Sequence, residues 1–198
     1  MSVVTLVGNP RAGSRTRAVA LEATRAIARR VGYGVPDDAV PGDVVDLSGL
    51  GPHLLSPVPS PSVEAALHLV ARSRLLVVAG PTYKGTYTGL LKVFLDRLPS
   101  GALAGTTALP LLVMGDPAHS LAVEVHLRPL LVELGATVPT PGLALLESQL
   151  TDLEERLGAW ADRVAPQVAA TLRAEAATTG AATTGAVREG AAKVGAAP

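Results

Sequence analysis

Val77 to Pro99 reads VVAGPTYKGTYTGLLKVFLDRLP, and it decides the fold when set beside Leu6 to Thr16, LVGNPRAGSRT. Each is an apolar run of strand length that enters a Gly/Pro turn and continues into a helical pattern. Both turns carry hydrogen-bond donors in place of acids or nucleophiles. The first offers Arg11, Ser14, Arg15 and Thr16; the second offers Tyr83 and Lys84 between Gly80 and Gly85. Two such turns at the carboxyl ends of parallel strands make a crevice for a flat, phosphorylated ligand.

Working outward, strands and helices alternate along the chain. Strands are expected at Val3–Val7, Asp43–Leu47, Leu75–Ala79, Ala108–Met114 and Gly142–Leu146. Leu75–Ala79 has the composition of a strand buried on both faces. Helices are expected over Ser14–Val31, with Ser14 as N-cap and Gly32, Gly34 and Pro36 as its stop, and over Ser62–Ser73, capped by Ser62. Two more are expected over Thr88–Leu98 and Pro117–Leu134, and a last one from Thr151, kinked or ended by Pro166. Pro52 to Pro61 reads as a loop. The pattern implies an α/β fold, a five-stranded parallel sheet with right-handed crossovers; the sheet is expected to be doubly wound in the order 2-1-3-4-5, with its switch between the first and third strands. The domain is expected to occupy residues 1–173. Residues 174–198 are Ala/Thr/Gly-rich, with AATTG written twice, and read as a disordered tail.

Composition narrows the function. The 198 residues suffice for one such domain, and 48% hydrophobic content belongs to a globular chain. No apolar run approaches the ~18 residues of a membrane span, and Met1–Leu6 reads as a strand instead of a leader. With no Cys, disulfides, thiolate metal sites and Cys nucleophiles are excluded, which suits the cytoplasm. Lys+Arg and Asp+Glu both number 17, so nothing in the charge favours nucleic acid. Arg17 to Arg30 reads as a solvated basic helix face; Arg11 and Arg15 lie in the loop itself.

The first loop nearly spells a nucleoside-triphosphate loop, but Ser14 stands where that motif needs lysine. Gly8 and Gly13 are five apart, which also rules out the dinucleotide GxGxxG spacing. What remains is a cradle of hydroxyls, loop N–H groups and Arg15 suited to a terminal monophosphate. In the second loop the donors can reach the pyrimidine edge of an isoalloxazine ring. Tyr83 can lie against such a ring, and Lys84 can offset the charge of its reduced form. Gly85 and Gly89 allow close backbone approach. Only 3% of the chain is aromatic, yet two of its three Tyr, Tyr83 and Tyr87, lie in this loop.

GNPRAGSRT, PTYKGTYTGLLKVFLDRLP and LPLLVMGDPAHSLAVEVHLRPLLVELGA together resemble the flavodoxin-like NAD(P)H-dependent FMN reductases, above all those that feed sulfonate monooxygenases. The resemblance runs over roughly Val3 to Leu146. It implies that Arg11, Ser14, Arg15 and Thr16 hold the FMN phosphate, and that Pro81, Thr82, Tyr83, Lys84 and Gly85 meet the ring and ribityl chain. It implies that Gly115 and Asp116 close the far side, where many relatives carry Gly-Gly. It also implies NAD(P)H as reductant, FMN as substrate or bound group, a flavin-dependent monooxygenase as partner, and a homo-oligomer, dimer or tetramer.

Hydride transfer needs an open ring face, with nicotinamide C4 within ~3.5 Å of flavin N5. Few aromatics are available here to cover a second face, and no protein acid is needed, so no catalytic residue and no metal are assigned. His119 can approach the nicotinamide or cap the fourth helix. A bound-FMN reductase of quinones, azo dyes or metal oxyanions, or a flavin electron carrier, are the alternatives. In the fourth helix Leu127, Leu130, Leu131 and Leu134 share one phase while Leu121 and Val125 fall outside it, which implies burial on two sides. Some relatives carry a π-bulge in this helix.

Overall fold

The computed structural model describes residues 2–33 and 41–194, with side chains to Thr178. Gly34 and Pro36, expected to stop the first helix, and most of the expected tail's side chains lie outside the described residues.

The five strands are β1 (Val3–Val7), β2 (Asp43–Asp46), β3 (Leu75–Pro81), β4 (Thr107–Met114) and β5 (Leu143–Leu146). All neighbours are parallel, in the order β2-β1-β3-β4-β5. This is the flavodoxin-like sheet that the alternating pattern implies. β3 is buried along its whole length, as its unbroken apolar run requires. The strand order reverses between β1 and β3, so the loops that follow these two strands flank the switch point.

Alternating side chains divide the core into two layers. On one face Val3, Val7, Val77, Leu111 and Val113 pack under α1 (Arg15–Arg30) and α6 (Leu153–Val194). On the other, Val4, Leu6, Leu76, Val78 and Leu112 pack under α2 (Gly51–Leu54), α3 (Pro61–Ala71), α4 (Gly89–Leu95) and the segment between β4 and β5. Ser14 caps α1 by accepting from the Arg17 N–H at 3.2 Å. Arg30 holds α1 to α6 through both oxygens of Asp162, at 2.6 and 3.2 Å.

Four local expectations are corrected. α3 begins one residue early, with Ser60 as cap and Pro61 in the first turn, where its fixed φ fits and its missing N–H costs nothing. Part of the expected Pro52–Pro61 loop is helical in α2 for the same reason, with Pro52 in its first turn. α6 runs through Pro166 without ending. The Pro166 ring is exposed, while Val168 and Leu172 beyond it are buried. Burial of about 1.5–3 kcal/mol for each such side chain outweighs the ~3 kcal/mol cost of a helical proline.

The fourth correction concerns Pro117–Leu134, which is not one regular helix. A 3-10 turn (Pro117–His119) is followed by a π-helical turn (Val123–Leu127) and then by α5 (Arg128–Glu133). The Arg128 N–H reaches back five residues to the Val123 carbonyl. Pro129 therefore falls in the first turn of α5, where an N–H is dispensable, and not in mid-helix. The Glu124 carboxylate clamps the π turn. It accepts from Arg128 Nε at 2.5 Å and from the Gly142 N–H at the entry to β5. Arg128 donates onward to the Val138 carbonyl at 2.8 Å and to the Thr140 carbonyl.

β4 tolerates Pro110 for a geometric reason. Thr107 donates toward β3, through the Arg74 carbonyl, whereas Ala108 donates to the Thr137 carbonyl on the other side. Alternation turns position 110 to the β5 side, and β5 begins pairing only opposite Leu111.

Candidate functional site

The turn after β1 is built around Asn9, which is 6% exposed. Its side chain donates to Thr16 Oγ1 at 3.0 Å and accepts from the Arg11 N–H at 2.9 Å, pinning both ends of the turn. Gly8 is required by contact: a Cβ there would stand 2.7 Å from Leu91 Cβ on α4. The Gly8 N–H donates to the Ala79 carbonyl at 2.7 Å. Its carbonyl accepts from the Thr88 hydroxyl, which also caps α4 by accepting from the Leu91 N–H at 3.1 Å. The two loops are therefore bonded directly to each other.

The turn after β3 is a two-residue hairpin. Tyr83 and Thr86 exchange backbone hydrogen bonds at 2.8 and 3.2 Å. Between them Lys84 has φ 53° and Gly85 φ 81°, the left-handed pair of a type I′ turn. Lys84 is the one non-glycine residue with positive φ among the described residues. Gly85 serves this turn instead of a close approach, since a Cβ at 85 or 89 would meet nothing within 4 Å.

Asn9, Arg11, Ala12, Gly13, Ser14, Arg15, Thr16, Pro81, Tyr83 and Glu147 line one cleft of about 440 Å³. Six of the residues singled out in the sequence thus face a common space: Arg11, Ser14, Arg15, Thr16, Pro81 and Tyr83. Tyr83 is 42% exposed and is the cleft's one aromatic wall. Tyr87 does not join it but packs against the core under α4. Thr16 is buried with its oxygen engaged by Asn9, so its hydroxyl holds the loop's shape as well as facing the cleft. Lys84 and Gly85 project at the hairpin tip outside the lining. Gly115 and Asp116 follow β4 and also lie outside it; Asp116 Oδ1 accepts from the Ala118 N–H at 2.8 Å, closing the 3-10 turn that contains His119.

Asn9 and Glu147 line the cleft without having been singled out for a role in the sequence. Asn9 could have been found from its place between a strand and a Pro turn, where Asx geometry is common. Glu147 could not, because it reaches the cleft from the end of β5, over one hundred residues away. Its Oε2 lies 2.9 Å from Arg15 Nη2.

The donor set fits a flavin phosphate and ring. Ser14 and Thr16 hydroxyls, the start of α1 and two arginines suit a dianion. Among the described residues no side chain pairs with the Arg11 guanidinium. Thr82 Oγ1, between Pro81 and Tyr83 of the cleft wall, is buried with no hydrogen-bond partner. A buried hydroxyl without a partner is uncommon, and a polar ligand edge would satisfy it.

A doubly wound sheet with a donor-lined loop and a hairpin arm at its switch point defines a flavodoxin-like protein. The model of a family described as NADPH-dependent FMN reductase matches residues 1–151, and the chain belongs to that family. It is 33% identical over 159 residues to the FMN reductase (NADPH) of Escherichia coli K12, covering 79% of this chain and 78% of that one. The crystal structure of the apo form of an NADH:FMN oxidoreductase superposes with a TM-score of 0.70 at 34% identity, over 82% of this chain and 87% of that one. An archaeal flavodoxin superposes at 0.58 with 15% identity, over 85% and 99%, and speaks for the fold alone.

Proposed function

We propose that this chain oxidises NADPH or NADH to reduce FMN and releases the reduced flavin to a flavin-dependent monooxygenase in the cytoplasm. The observation that carries this reading is the cleft itself, which joins a loop lined by Arg11, Ser14, Arg15 and Thr16 to a single exposed aromatic, Tyr83. FMN bound there would supply the hydride-accepting ring. Arg11, Arg15, Ser14 and the start of α1 would hold its phosphate, and Thr82 and the hairpin would orient its polar edge. Lys84 at the hairpin tip would offset the negative charge of the reduced form. Gly115 and Asp116, outside the cleft lining, would close the far side of the ring and not hold the phosphate.

Hydride transfer between stacked rings requires no proton from a side chain, so no residue of the cleft is given that role. With one aromatic wall, affinity rests on the phosphate loop, which suits a flavin that comes and goes. Among the described residues no helix is long and apolar enough to cross a membrane. The chain would assemble as a dimer or tetramer through the face that carries Leu121, Val125 and Val132, which are 68%, 56% and 53% exposed.

The test is steady-state NAD(P)H oxidation with and without free FMN. The expected rate saturates with added FMN and falls in Tyr83→Ala, whose ring position is lost, with little change in His119→Ala. A protein that stays yellow through dialysis and reduces a quinone without added FMN would point instead to a bound-flavin quinone reductase.

A further inference from the structure

The Arg15–Glu147 pair lies inside the cleft assigned above to the flavin phosphate, and a carboxylate is an unexpected wall for a dianion. Arg15 comes from the first residue of α1 and Glu147 from the first residue after β5. They meet across the mouth at 2.9 Å with side chains 67% and 44% exposed. Such a pair is solvated and adds little to stability, so folding gives no reason for an acid at this place. Its effect falls on whatever anion comes to Arg15.

We infer that Glu147 sets the affinity of the phosphate loop by acting as the anion that Arg15 holds when the flavin is absent. Binding is then an exchange: the phosphate takes the guanidinium and the carboxylate turns to water. The incoming phosphate, with about two charges, also meets the repulsion of a carboxylate in the same cleft. Both effects weaken the phosphate contact and leave the ring contacts untouched. Glu147 is thus a positioning and specificity residue that makes FMN a ligand able to leave. The inference rests on the reading of the loop as a phosphate site, and it adds a prediction which that reading alone does not make.

The experiment measures binding of FMN, riboflavin and inorganic phosphate to the full chain, by flavin fluorescence and by phosphate competition, for four proteins: wild type, Glu147→Gln, Arg15→Ala and the double variant. Wild type is expected to prefer FMN over riboflavin, and Arg15→Ala to lose most of that preference. Glu147→Gln is expected to tighten FMN about three- to tenfold. Phosphate should compete better against it by a similar factor, and riboflavin should not move. In the Arg15→Ala background the same change is expected to shrink to the part owed to repulsion alone, because the exchange partner is gone. Added salt should narrow the difference.

If Glu147→Gln leaves FMN unchanged while wild type still prefers FMN, the exchange role is wrong and the phosphate loop stands. If Glu147→Gln tightens riboflavin as much as FMN, the carboxylate acts on the ring or on the fold, and the inference fails. If wild type does not distinguish FMN from riboflavin, the phosphate loop itself is wrong and the inference falls with it.

Discussion

The Thr88 hydroxyl donates to the Gly8 carbonyl at 2.6 Å, joining two loops whose residues stand eighty positions apart in the chain. The same oxygen caps α4, so one buried side chain fixes both the spacing of the loops and the start of the helix that follows the second. Thr88→Val keeps the shape and removes both bonds. It should cost about 1–3 kcal/mol in urea unfolding and raise KM for FMN. Thr88→Ser should restore most of both.

The hairpin separates charge from conformation at Lys84. Its φ of 53° is tolerated by Gly and Asn and disfavoured for Ala. Lys84→Gly should therefore unfold at or above the midpoint of Lys84→Ala, with a gap of about 1 kcal/mol. Both should lose the positive charge equally, so both should lower kcat for FMN reduction by the same factor. A rate that tracks the midpoint and ignores the charge would show that Lys84 only shapes the turn.

Glu124 gives the protein a pH dependence of known sign. Burial raises the pKa of its carboxyl, but the hydrogen bond from Arg128, the Gly142 N–H and the Arg128 charge together hold it below the ordinary 4.5. A carboxyl depressed in the folded state contributes stability above its unfolded pKa. That contribution is lost as pH falls through the lower folded value. Wild type should lose stability below about pH 4.5 more steeply than Glu124→Gln, which should also be less stable at pH 7. Unfolding midpoints across that range check both slopes.

Replacing Leu121 and Val125 by Glu should lower the assembly state and leave the sheet intact. Both side chains are more than half exposed, so the change disturbs no core contact. Light scattering with circular dichroism reads the two effects separately. A wild-type monomer would remove this face as an interface.

Much of this was legible because β3 and β1 announce themselves. Unbroken apolar runs that stop at Gly-Asn-Pro and Gly-Pro have few other readings, and alternation with helices then implies a parallel sheet, whose order is not written in the alternation itself. The donor-lined first turn of the cleft was legible for the same reason, since its donors are contiguous. Two kinds of feature were not. The π turn at Val123–Leu127 is one extra residue in a helical pattern, and a phase break between Leu121 and Leu127 has the same look as a two-sided helix. Glu147 and Thr88 act across the fold, and their partners Arg15 and Gly8 carry no mark of them in the chain. Composition places Tyr87 in the second loop without telling which way its ring turns, and it packs against the core.

Pro110 bears on what this protein avoids. The stretch of β4 below the start of β5 has buried, apolar neighbours and would offer an open ladder position to any strand that reached it during folding. A proline cannot donate there, so a foreign strand gains one bond fewer at that position. Restoring an N–H with Val would leave the fold drawn as it is and make its half-formed states stickier. Yield on refolding from concentrated solution would then fall, well before any change in the native protein's stability came to notice.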